Sequence, residues 1–172
     1  MEYQLDKKRS SISWTAYQPE SRIEGKVDFK QGKIKVNGEH ITGGYVQADL
    51  KNLIVTDRRL ARDQQETLEN HLKSVDFFNV NEHPSAVFEV LEVRPSSGLT
   101  THLVAGDLTI KGIKHKFEIP ANIIIDKHKV DVKAKLSIIR TKFNVDFMIE
   151  ESYGAKKILP EFDLEVHIVA IA

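Results

Sequence analysis

The chain has 172 residues, with Lys plus Arg and Asp plus Glu both at 25. Its zero formal charge leaves no electrostatic footprint for a phosphate backbone, so nucleic acid is not an expected partner. No cysteine is present, which removes disulfides, thiolate nucleophiles, iron–sulfur clusters and thiolate zinc sites together.

The first residues, Met1 to Lys8, lack the apolar run of a secretory signal, and no stretch of the chain is long and apolar enough to span a bilayer. On this reading the protein is soluble and not membrane-spanning, cytoplasmic as it stands and periplasmic if cut from a longer precursor. From there the hydrophobic pattern has a period of two, the mark of strands with one buried and one wet face. Ile12, Trp14 and Ala16 alternate with Ser11, Ser13 and Thr15. Ile23, Gly25, Val27 and Phe29 alternate with charged residues. Gly32 is read as a turn, Ile34 and Val36 as a further strand, Asn37-Gly38 as a second turn, and Tyr45 to Val55 as a strand opened by Gly43-Gly44. Four strands thus precede any helix.

From Asp57 to Ser74 the period changes: Leu60, Gln64, Leu68, Leu72 and Val75 recur at three- and four-residue spacing, which predicts one amphipathic helix. Phe77 and Phe78 follow it, and Pro84 ends the turn-rich connection. Alternation returns over Ala86–Val93, Leu99–Ile110, Lys114–Ile125, Lys129–Arg140 and Glu161–Ile171, with a longer loop around Ser152 to Pro160. Eight or nine strands with short connections and a single helix predict an all-β antiparallel barrel, since closure alone leaves no unpaired edge. No repeat, low-complexity tract or linker interrupts the chain, so one domain over 1–172 is expected.

The side chains of shared parity that face inward in such a barrel are Ile12, Trp14, Val27, Phe29, Val46, Leu50, Phe88, Val90, Leu108, Ile110, Phe117, Ile119, Val132, Leu136, Ile138, Phe162, Leu164 and Val166. A barrel of about eight strands is either filled by its own side chains or holds one small ligand, and alternation is the same in both cases. Phe77 and Phe78 at the helix end read either as a closure lying against a ligand or as a plain hydrophobic plug. Arg140 shares parity with Leu136 and Ile138; an inward charge there needs an ion-pair partner, the favoured reading, or a polar ligand head.

The seven histidines, at 40, 71, 83, 102, 115, 128 and 167, show no metal-binding spacing, and no metal or other cofactor is expected. Gly106 to Gly112 is not a phosphate-binding loop, because Ile113 stands where the lysine belongs. Neither a nucleophile elbow nor a dinucleotide fingerprint occurs, so an enzyme is the weaker expectation, with Arg140, Asp146 or a histidine as its polar group.

Two blocks of residues carry a resemblance to the YceI-like family. The first is His71-Leu72-Lys73-Ser74-Val75-Asp76-Phe77-Phe78-Asn79-Val80 followed by His83-Pro84-Ser85-Ala86-Val87-Phe88, and the second is Gly106-Asp107-Leu108-Thr109-Ile110-Lys111-Gly112. Arg140-Thr141-Lys142-Phe143 adds a weaker third. Ser21 to Gly25 replaces a histidine-containing segment of that family, and Asn79 and Ile139 stand where aspartates are common. The resemblance implies a lipocalin-like barrel, often periplasmic, that binds a polyisoprenoid or isoprenoid quinone through the inward set together with Leu72, Phe77, Phe78 and Arg140. A ligand-free barrel acting as an interaction module, with a homodimer through an exposed strand face, is the alternative.

Overall fold

The structure is a computed structural model that describes residues 1–146 and 158–172. Among these residues the predicted alternation becomes nine antiparallel strands: β1 (Glu2–Leu5), β2 (Ser11–Gln18), β3 (Ser21–Asn37), β4 (His40–Val55), β5 (Ser85–Pro95), β6 (His102–Ile110), β7 (Ile113–Ile125), β8 (Lys129–Ile139) and β9 (Glu161–Ile171). Each pairs with its sequence neighbour from β2 to β9, and β9 pairs back onto both β1 and β2. Because β1 and β2 both lie between β3 and β9, they are two pieces of one barrel stave, so nine strands close an eight-position barrel. The break between them is sealed by Asp6 N–H donating to the Val169 carbonyl (2.8 Å) and Val169 N–H donating to Ser10 Oγ (2.9 Å).

Four strands do precede the helix, but not the four expected. Gly32 is no turn: β3 runs straight through it, and its pairing with β4 shifts between Phe29 and Gln31. An inserted residue moves the buried set from odd positions (Ile23, Val27, Phe29) to even ones (Ile34, Val36), the behaviour of a β-bulge. Gly43-Gly44 likewise lies inside β4, which begins at His40. Gly44 has φ 134°, and a Cβ there would lie 2.2 Å from the Lys33 carbonyl oxygen, so the close crossing of β3 and β4 requires glycine. Leu99 does not open a strand: it is fully exposed at the tip of the β5–β6 loop, and β6 starts at His102. The loop expected around Ser152 to Pro160 lies, over 152–157, outside the described residues.

Helix α1 (Arg62–Lys73) starts five residues later than the periodicity suggests and ends before Val75, which is exposed. The Gln64 side chain accepts from Ala61 N–H at the helix start (2.9 Å). The residues ahead of it anchor the helix instead of extending it. Buried Asp57 accepts from Arg59 Nε (2.9 Å), from Arg59 N–H (3.1 Å) and from Glu24 N–H of β3 (3.4 Å). Glu69 accepts from Val55 N–H (2.8 Å), fastening the helix to the end of β4.

The guanidinium of Arg59, with the two backbone donors, holds the Asp57 carboxyl down at about 2. A pKa below the ordinary 3.8 stabilises the fold fully above that value and is lost as pH falls through about 2. Asp57→Asn is therefore expected to lower stability at pH 7 by about 1–2 kcal/mol, after allowing for the solvent around the exposed Arg59. The difference should shrink towards pH 2. Urea unfolding of both proteins at pH 7 and pH 2.5 checks this, and a penalty independent of pH would contradict it.

Candidate functional site

The largest fully buried side chains are not at mid-barrel. Phe77, Phe143, Ile138 and Val145 gather at the end closed by α1, and Val130 lies near the other end. There Tyr3 is buried and its hydroxyl donates to the Asp126 carbonyl (2.9 Å). Between these ends, inward-pointing Val46, Ala48, Phe88, Val90, Leu136, Leu164 and Val166 are only half-buried, although their outward neighbours carry the wet face. Their uncovered surface faces an interior cavity of about 230 Å³, which they line. A single water needs only about 10–15 Å³ of such space, so the barrel is hollow at its waist.

The wall of this cavity is almost wholly hydrocarbon. Ile12 and Trp14 of β2, Val27 and Phe29 of β3, and Val46 and Leu50 of β4 contribute on one side. Phe88 and Val90 of β5, Leu108 and Ile110 of β6, and Ile119 of β7 continue around the barrel. Val132, Leu136 and Ile138 of β8 with Phe162, Leu164 and Val166 of β9 complete it, while Leu72, Phe77, Phe78 and Arg140 border the helix end. Phe117 is the exception. Its ring stacks on Phe143 at 6.3 Å between centroids and 14° between planes, so it is covered by the chain that follows β8 and does not reach the cavity.

Sequence reasoning missed the small and the displaced wall residues. Ala16, Ala48, Ala86, Ala121 and Ala134 line the cavity at the expected parity, and simple extension of the alternation locates them. Ile34, Ile41 and Leu53 also line it, but they sit beyond bulges where the parity changes. The alanines matter because a short side chain on an inward position leaves space that a larger one would fill.

Val104 to Ile110 of β6, both on the wall, are six residues apart, roughly 20 Å of strand at about 3.4 Å per residue. Strand tilt in barrels reduces this to roughly 15 Å along the axis.

Arg140 follows β8 as the first residue of a short 3-10 helix (Arg140–Phe143) and is 3% exposed. The expected carboxylate partner is absent among the described residues. Instead its Nη1 donates to the Val145 carbonyl (2.7 Å), Nη2 to the Ile158 carbonyl (2.6 Å) and Nε to the Leu159 carbonyl (3.2 Å). The guanidinium carbon lies 5.4 Å from the centre of the Phe77 ring, over its face. Burial pushes the guanidinium pKa down, opposed by the charge of Asp146. Phe77 is further held by the edge of the His71 ring, with centroids 5.0 Å apart at 90°. The paired phenylalanines, α1 and Arg140 thus form one packed closure.

Asn79 has φ 48°, a conformation asparagine tolerates, and its carbonyl accepts from Glu82 and His83 N–H. Ile139 is 42% exposed. Neither residue lines the cavity. Among the described residues no cluster of three His, Cys, Asp or Glu side chains is placed to hold a metal ion. Among the same residues no helix is long and apolar enough to cross a membrane.

A closed antiparallel barrel with short connections, one helix over one end and an apolar hollow defines the lipocalin-like class of β-barrel. The sequence matches the YceI-like domain over residues 3–170, and the chain belongs to that family. It is 34% identical over 79 residues to a UPF0312 protein of Azotobacter vinelandii, a match covering 46% of this chain and 38% of that protein. A UPF0312 protein of Ectopseudomonas mendocina is 32% identical over 97 residues, covering 56% of this chain and 47% of that protein. The matched stretches thus span less than half of either relative.

Similar solved structures agree on the fold. BcnA of Burkholderia cenocepacia superposes with a TM-score of 0.78 at 20% identity, covering 96% of this chain and 99% of that one. A polyisoprenoid binding domain of Saccharophagus degradans, implicated in plant cell wall breakdown, gives 0.74 at 12% identity, covering 99% and 98%. The YCEI protein of Campylobacter jejuni gives 0.60 at 17% identity, covering 85% and 84%.

Proposed function

We propose that this chain, acting as one domain, binds a long apolar molecule in the barrel and carries or sequesters it, and that the molecule is a polyisoprenoid or an isoprenoid quinone. The observation that carries this reading is the hollow waist, where side chains of inward parity line a cavity of about 230 Å³. The polyisoprenoid-binding domain of similar fold supports the ligand class. The inward set named from the sequence, without Phe117 and with Leu72, Phe77, Phe78 and Arg140, is the proposed contact surface.

The energetics suffice. At about 0.8 kcal/mol per buried methylene, a five-carbon isoprene unit contributes roughly 4 kcal/mol, so a few units reach micromolar affinity after ordering costs. A unit with four backbone carbons extends roughly 5 Å from bond lengths near 1.5 Å. Three or four units then fill the cavity length, and a longer tail must fold back or emerge. Among the described residues the only formally charged side chains bordering the hollow are Lys33 and Arg140, which offer no acid–base pair, and this favours binding over catalysis. A filled barrel serving only as an interaction module is disfavoured by the cavity.

Organic extraction of the purified protein followed by mass spectrometry is expected to release a prenyl compound. Leu108→Asp or Phe162→Asp, each placing a carboxylate on the apolar wall, should lower uptake of an added prenyl compound at least a hundredfold. Lys26→Asp on the outer face should leave it within twofold. Preparations that yield no lipid and take up none would refute the reading.

A further inference from the structure

Among the described residues the barrel wall has an incomplete seam at the helix end, between β7 and β8, and another at the far end, where His40–Gly43 of β4 and Leu91–Pro95 of β5 have no pairing with each other. β7 and β8 pair only from Ala121–Ala134 to Ile125–Val130. On the helix side of that ladder, Ile113 to Pro120 remains bonded to β6, and Lys135 to Ile139 remains bonded to β9. No pairing joins these two stretches to each other.

Pro120 supplies a physical cause. The β6–β7 hairpin turns through Lys111 (φ 54°) and Gly112 (φ 77°), a two-residue turn whose closing pair, Ile110 and Ile113, exchanges both hydrogen bonds. Counting from that pair, odd-numbered residues of β7 direct N–H towards β6 and even-numbered ones towards β8. Position 120 is even, so proline removes a donor on the β8 side at the point where the ladder stops.

Phe143 packs on the β7 side of this gap. Its ring is 1% exposed, stacked on Phe117 and met edge-on by His115 at 5.0 Å. Immediately past the ring pair, Ile119 and Leu136 on the two sides of the seam already line the cavity. The turn that carries Phe143 is a four-residue 3-10 helix ended by Asn144 in the left-handed conformation (φ 58°). Besides the Arg140–Val145 bonds, it is tied to β7 by exposed contacts: Lys111 Nζ donates to the Asn144 carbonyl (2.9 Å), and His115 Nε2 lies 2.8 Å from the Lys142 carbonyl.

We infer that the apolar ligand passes sideways into the barrel through the β7–β8 seam, with Phe143 as the movable stopper. This rests on the proposed carrier function. Phe143 sits on a single four-residue turn, whereas lifting α1 breaks its bond to β4 and withdraws Leu72, and with it Phe77 just past the helix, from the barrel end. Phe143 itself does not line the cavity, so its removal changes the path and not the bound state.

Stopped-flow mixing with a dansyl-labelled farnesyl probe tests the route. Phe143→Ala is expected to raise both association and dissociation rates at least tenfold, with affinity changed less than threefold. Leu68→Ala, which loosens α1 at a side chain off the cavity wall, should leave the rates within threefold of wild type. Should Phe143→Ala fold poorly, Phe143→Leu with its smaller stopper should raise both rates at least threefold. Uptake by the wild type with rates unchanged in the Phe143 variants overturns the route alone. No uptake by the wild type overturns the carrier reading and the route together.

Discussion

Filling the barrel from its own small wall residues is expected to abolish ligand uptake while leaving the fold as stable as before. Ala48 of β4 and Ala134 of β8 both line the cavity and are only half-buried. A phenyl ring at each enters space that is empty in the native chain, so it does not incur the overpacking penalty of a dense core. Each ring brings roughly 1.5–3 kcal/mol of burial and removes room for a comparable number of ligand carbons. Losing contact with even four methylenes costs a ligand roughly 3 kcal/mol, more than a hundredfold in affinity. Ala48→Phe/Ala134→Phe should therefore hold or raise the melting temperature and release no prenyl compound on extraction. A double variant that still yields the wild-type amount of lipid would show that the ligand does not occupy the waist.

This experiment separates hollow from filled, the distinction that alternation left open. Val46, Phe88, Leu136 and Leu164 follow the same period whether they touch one another or surround space, because parity reports only which face of the sheet is dry. The architecture was legible for the same reason: strands of one buried face with turn residues between them leave few ways to close. Misreadings cluster where the backbone breaks its own period. At Gly32 the inserted residue imitates a turn in sequence, since both reset the alternation, and only the pairing of β3 with β4 shows that the strand continues. Phe117 fails differently. It has the right parity, but its ring stacks on Phe143, twenty-six positions later, and stays off the cavity wall, and no local pattern encodes so distant a contact.

Removing the guanidinium of Arg140 is the second large effect. The sequence placed a charge on the inner face and asked for a carboxylate; the structure satisfies it with the carbonyls of Val145, Ile158 and Leu159 and the face of Phe77. Those acceptors terminate the described chain on either side of residues 147–157, so one side chain joins both flanks of that connection to β8. In Arg140→Leu three carbonyls lose their donor, each at about 1–3 kcal/mol if water cannot replace it, and partial hydration brings the expected loss to about 3–5 kcal/mol. For a chain of this size that lowers the melting temperature by roughly 10 °C. Arg140→Lys should fall between, since an ammonium cannot span three acceptors arranged for a planar fork. Leucine keeps an apolar stem on the cavity wall, so affinity for a prenyl probe below the melting transition should stay within threefold. The opposite pattern, unchanged melting with a tenfold or greater loss of affinity, would identify Arg140 as an anchor for a polar ligand head and not as the clamp of the closed end.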